Sequence, residues 1–208
     1  QFAGIVFQID EDGGSDSQKP HIEPAVAHKR AAKLFNHFSK KHDGIWGLLN
    51  QGLFGAFFTQ KTGSLCFALL QEFQQSSKNK AALTVSAGIA EYPSLNYQPA
   101  DIIPNAIKAL DHAAFLGPNS AVIFDAVSLN ISGDQLFDRG DINSSIEEYQ
   151  QALKMDPTNI NADRADVIMV DATGNFFTFN QPRQQELGLG LEPRNEDFTP
   201  NAGTITQP

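Results

Sequence analysis

Apolar positions in the first part of the chain alternate between two spacings. Phe2 to Ile9 is a short apolar run that ends in Asp10, Glu11 and Asp12, the pattern of a buried strand that stops where carboxylates reach solvent. After the loop GGSDSQKP, residues Ile22, Val26, Ala27, Ala31, Leu34, Phe35 and Phe38 recur at helical spacing, with Lys29, Arg30 and Lys33 opposite. This predicts a helix from His21 to Phe38 packed on a sheet. Ile45 to Phe58 is apolar, glycine-punctuated and short between turn signals, which predicts two strands meeting in a hairpin around Asn50, Gln51 and Gly52. Ser64 to Gln75 reads as an amphipathic helix and Ala82 to Ala90 as a β-branched strand. Asp101 to Phe115 reads as a helix ended by Gly117 and Pro118, and Ala121 to Phe124 as a closing strand. The order β α β β α β α β predicts an α/β sandwich with a mostly antiparallel sheet of ferredoxin-like ancestry.

From about Val127 the pattern changes. Ile131 to Arg139 and Ser144 to Met155 are helical segments separated by Gly140 and Asp141, and Pro157 follows the second, which predicts an αα-hairpin. A short apolar run, Asp166 to Val170, precedes a tail rich in Pro, Gly, Asn, Gln and Thr, where little fixed structure is expected. The predicted organisation is an α/β domain over 1–125, a helical hairpin over 126–162 and a tail over 163–208.

Composition narrows the function classes. The 24 acidic and 15 basic residues give a formal net charge of -9, a field that repels phosphate backbones, so nucleic-acid binding is disfavoured. Phe is the dominant aromatic, at 16 against 3 Tyr and 1 Trp, which points to core packing rather than ligand stacking. The lone Cys66, in the apolar run SLCFALL, reads as a buried thiol in a reducing compartment, and a cytoplasmic location is expected. No stretch approaches the roughly 18 to 20 apolar residues of a spanning helix. The first residues lack the basic start of a signal peptide, and Gln1 in place of Met fits a trimmed chain.

Candidate chemistry is sparse. Asp10, Glu11 and Asp12 at a strand end could hold a divalent metal through hard oxygen ligands, or they form a solvated acidic turn ahead of Gly13 and Gly14. His21, His28, His37, His42 and His112 have no zinc-ligand spacing and read as surface or packing residues. Ser86 lies within a strand and lacks a nucleophile elbow, and Cys66 in an apolar setting is a quiet thiol. Gly188 and Gly190 lack the strand before and the Lys-Ser/Thr after that a phosphate loop needs.

Thr84-Val85-Ser86-Ala87-Gly88-Ile89-Ala90 resembles the TVSIGIA strand of GGDEF domains, a bacterial diguanylate cyclase family. Asn105 to Ala113, with Gly117 and Asn119, resembles that family's NADxALYxAKxxGRN helix and turn. The resemblance spans roughly Phe2 to Asp125. In active members two carboxylates hold Mg²⁺ against the triphosphate of GTP. Ile9-Asp10-Glu11-Asp12 is similar to the family's I-D-x-D, which makes Asp10 and Asp12 vestigial metal-ligand candidates. Counted from Asp43, the signature turn falls on Leu49-Asn50-Gln51-Gly52-Leu53, which carries neither signature acid. The guanine-binding positions fall near Gln18 and Lys19, the phosphate-contacting Lys on Ala114 and the Arg of GRN on Pro118. The inhibitory RxxD site corresponds to Lys40-Lys41-His42-Asp43, where Lys40 supplies charge without the bidentate fork of Arg.

About Ala126 to Asn159 resembles one tetratricopeptide repeat. Gly133, Leu136, Gly140, Ser145, Tyr149, Ala152 and Pro157 sit at the small, large, turn, small, aromatic, small and Pro positions of its roughly 34-residue pattern. One repeat cannot bury both of its faces, so the hairpin either packs on the α/β domain or belongs to a truncated array. Together the resemblances imply a catalytically inactive signalling module with no cofactor, whose repeat hairpin recruits a protein partner. The alternative is an active or nucleotide-binding diguanylate cyclase-type enzyme that uses Mg²⁺ and binds GTP or cyclic di-GMP.

Overall fold

The computed structural model describes residues 1–10, 22–50 and 52–159, and the backbone at 169–170 and 176–177. Strand β1 (Phe2–Ile9) leads to helix α1 (Pro24–Lys41), then to the hairpin of β2 (Gly44–Asn50) and β3 (Leu53–Thr59). Helix α2 (Gly63–Ala81), strand β4 (Val85–Tyr92), a 3-10 turn at Pro99–Asp101, helix α3 (Ile102–Phe115) and strand β5 (Ala121–Ile123) complete the α/β part. Helices α4 (Ala126–Asp138) and α5 (Ile142–Met155) follow. The sheet order is β2-β3-β1-β4-β5, antiparallel except between β4 and β5. The α/β sandwich expected from the hydrophobic pattern is therefore present.

Local chemistry sets the element ends. Pro24 opens α1, where a missing N–H costs nothing. The helix ends at Lys41, ahead of Asp43 in the left-handed region at φ 56°. Thr62 caps α2 by accepting the Leu65 N–H at 3.1 Å. That helix continues past Gln75 to Ala81, although the apolar period fades there, because polar side chains take over its inward face. Gln74 is buried and its Nε2 donates to the carbonyls of Val85 at 2.9 Å and Ser120 at 3.3 Å, and Ser77 is buried beside it in the turn that follows. α4 starts at Ala126, five residues before the apolar period begins at Ile131, because Asp125 accepts the Ser128 N–H at 2.8 Å as an N-cap.

The two faces of the sheet carry different cores. On one, Ala3, Ile5 and Phe7 of β1 meet α1 and α2 through a cluster of phenylalanines that explains their abundance. Phe7 stacks on Phe54 with ring centres 4.7 Å apart and packs on Phe35 at 4.5 Å. On the other face Val6 meets Ile102, Ala106, Ala109 and Ala113 of α3. Gly88 makes this approach possible: a Cβ there would strike the backbone of α3 at Ala106 and Leu110.

The second core does not stop at α3. It includes Leu129 of α4 and Ala152 and Leu153 of α5, so the helical hairpin packs on the α/β part. Lys108 of α3 pairs with Glu148 of α5 across this junction, with side chains only 21% and 16% exposed. In the tail, Met169–Val170 pairs antiparallel with Phe176–Phe177, a short strand pair where little fixed structure was expected. Among the described residues no helix is long and apolar enough to cross a membrane.

Candidate functional site

Asp10 and the described residues of the candidate signature turn lie at one end of the sheet. β1 and β3 pair antiparallel with Phe7 opposite Phe54, so the β2–β3 tip lies beside the end of β1, where Asp10 stands. β4 lies on the other side of β1, with Ile9 opposite Val85, which brings in the turn after α3. Asp10 is held there twice. Its N–H donates to the Thr84 carbonyl at 3.0 Å, and its Oδ2 accepts the Asn119 N–H at 2.7 Å. Asn119 adopts φ 61°, so this carboxylate fastens a left-handed turn between α3 and β5.

The tip itself carries no charge. Asn50 pairs with Leu53 across the turn, and Gly52 adopts φ 90°, which favours glycine. Leu49 is the bulged residue at this end of β2, 43% exposed, and its Cδ2 lies 2.9 Å from where a Cβ on Gly55 would sit. His28 of α1 closes the near side. Its Nδ1 lies 2.7 Å from the Pro24 carbonyl oxygen, its ring stacks on Phe54 at 6.0 Å, and its Nε2 lies 2.7 Å from a Cβ position on Gly52. Neither His28 nor the Asn119 N–H stood out in the sequence as part of this site, because both reach it only through tertiary packing. Asp12, Gln18, Lys19 and Gln51, which the resemblance places here, lie outside the described residues, as do Gly188 and Gly190.

The remaining positions scatter. Lys40 is exposed in the last turn of α1 and Asp43 is exposed in the turn after it. Between them burial, reinforced by Lys41, holds His42 below its ordinary value of 6.5, so its ring favours the neutral form. Ala114 and Pro118 are exposed. Cys66 is fully buried, and that burial pushes its thiol up to about 11, far from a reactive thiolate.

The repeat-like residues, in contrast, are brought together. The Tyr149 ring lies over Gly133, with its Cε1 2.7 Å from a Cβ position there, so a side chain at 133 would separate α4 from α5. Ser145 Oγ donates to the Gly133 carbonyl at 2.8 Å, and Tyr149 Oη donates to Asp134 Oδ1 at 2.6 Å. Burial and that carboxylate push the Tyr149 phenol up to about 12, so it stays a donor. Gly140 at φ 81° makes the turn, and Leu136 offers its carbonyl to Asp141 N–H at 2.9 Å. Ala152 is fully buried in the core that α3 shares with the hairpin, and Pro157 follows the end of α5.

Comparison with known proteins agrees with this geometry. Residues 133–162 match the family model described as TPR repeat. No curated protein matches the sequence. The chain is similar to the active GGEEF domain of a diguanylate cyclase from Vibrio cholerae, with 20% identity, 59% of this chain and 82% of that chain covered, and a TM-score of 0.50. It is similar also to the GGDEF domain of YfiN from Pseudomonas aeruginosa, with 14% identity, 60% and 82% covered, and a TM-score of 0.51. At these identities the likeness is one of fold. The α/β part has the fold of a GGDEF domain, and a tetratricopeptide repeat follows it.

Proposed function

We propose that this chain is a catalytically silent GGDEF-fold signalling module whose helical hairpin presents a protein-binding surface. The observation that carries the reading is the engagement of Asp10. The carboxylate that the family resemblance makes a metal ligand accepts the Asn119 N–H through Oδ2, and the tip beside it offers Leu49 and Leu53 where a second acid would stand. Among the described residues no group of His, Cys, Asp or Glu forms a metal cluster. Of the two acids that the resemblance assigns to Mg²⁺, Asp10 alone lies among the described residues, and no step of the reading runs through a metal. His28 against Gly52 further occupies the space beside the tip.

The regulatory part of the reading rests on the repeat. α3 covers one side of the α4–α5 hairpin, which leaves the other side to a partner. Incubation of the protein with GTP and Mg²⁺, beside an active diguanylate cyclase as control, tests the silent-module reading. No cyclic di-GMP is expected, and robust product overturns it. Titration with GTP and with cyclic di-GMP is expected to give no saturable heat. Saturation by either would make the module a nucleotide receptor instead.

A further inference from the structure

The first strand of the sheet order, β2, has no strand outside it among the described residues. Its sequence, Gly-Ile-Trp-Gly-Leu-Leu-Asn, holds no charged residue and no proline, two of the devices that keep an edge strand from pairing, and its one bulge falls at the end, at Leu49, which leaves Gly44 to Leu48 regular. Ile45 is 75% exposed, Leu48 62% and Leu49 43%, so the edge is apolar on both faces. The face carrying Ile45 and Leu49 continues onto Phe57 of β3, which is 37% exposed, because α3 covers only the β1–β4–β5 half of that side.

The strand is also complementary to itself. If two copies pair antiparallel about Gly47, Ile45 of one faces Leu49 of the other on one side of the sheet. Trp46 then faces Leu48 on the opposite side, and Gly47 meets its own copy on the two-fold axis. A Cβ on Gly47 would meet nothing within 4 Å, so the sheet face over the two-fold axis is open and Gly47→Cys is tolerated. Apolar pairs directly across strands are the stabilising unit of a sheet, and this register supplies them twice over by symmetry.

We propose that β2 is a homodimerisation edge, on which a second copy of this chain adds its own β2 to form one continuous sheet. The occupant follows from the register, since the same strand supplies both the backbone row and the matching apolar side chains. Charge sets the strength. Two chains at -9 repel, but no charge lies on the edge itself, so the dimer tightens as salt screens the repulsion. A single strand edge falls short of the about 800 Å² per partner of a standard stable interface, so association is weak and concentration-dependent. The inference is independent of whether the GGDEF-fold part is catalytically silent.

Sedimentation velocity of the whole chain under reducing conditions, at rising protein and salt concentration, reads the dimer directly. A doubling of mass is expected, lost in the double variant Ile45→Lys, Leu48→Lys and kept in Leu116→Lys, an exposed control at the C-terminal end of α3, off the β2 edge. Gly47→Cys gives a second measurement. Residues directly opposite have Cβ atoms about 4.5 to 5.5 Å apart, so mild oxidation is expected to link two copies through position 47, while Leu116→Cys links poorly. A chain that stays monomeric well above micromolar concentration overturns the proposal. So does a dimer that the edge lysines leave intact.

Discussion

At Asp10 one side chain carries a structural load where the family resemblance assigns a catalytic one. Its hydrogen bond to the Asn119 N–H joins the end of β1 to the turn that starts β5. Asp10→Ala is expected to cost about 1 kcal/mol in a denaturant titration, while Asp10→Asn, which keeps an acceptor oxygen, costs less than half of that. Added Mg²⁺ should leave the unfolding midpoint of the unaltered protein where it is. The position of Asp10 was legible in Ile9-Asp10-Glu11-Asp12, and the tip was placed on Leu49 to Leu53 by counting alone. What the acid touches was not legible, because Asn119 lies 109 residues away in sequence. His28 was equally hidden, since helical spacing says which side of α1 it occupies and nothing about the tip it meets.

Elements were legible wherever apolar period and packing face coincide. The β2–β3 hairpin and α3 fall within a few residues of their expected limits. α2 was read short because Gln74 and Ser77 put polar atoms on a buried face, which ends the apolar period without ending the helix. α4 was read late because its first turn is fixed by the Asp125 cap, a hydrogen-bond signal and not an apolar one. Gly88 shows how an element constrains its neighbour. Gly88→Ala forces α3 off β4, since the three obstructing atoms, of Ala106, Ala109 and Leu110, are all backbone, and a loss of about 3 kcal/mol is expected. Gly47→Ala, on the open edge strand, is expected to cost under about 1 kcal/mol by the same measurement.

Across the whole molecule, the sequence left open whether a lone repeat packs on the α/β part or belongs to a cut array. The structure places it on α3. One sign of this was available in Ile102 to Phe115, which is apolar on more than one side: Ala106 and Ala109 lie in the core shared with the sheet and the hairpin, and Ile103 and Ile107 pack against it. The Lys108–Glu148 pair was not readable, since neither residue belongs to a motif. Glu148→Ala alone leaves a half-buried ammonium without its partner and is expected to cost about 2 kcal/mol. Lys108→Met combined with Glu148→Leu should recover most of it, a non-additivity that a double-mutant cycle measures. Because α3 packs along α4, it gives this single repeat the apolar neighbour that an adjoining repeat supplies in an array, so the hairpin should lose its fold when cut from the GGDEF-fold part.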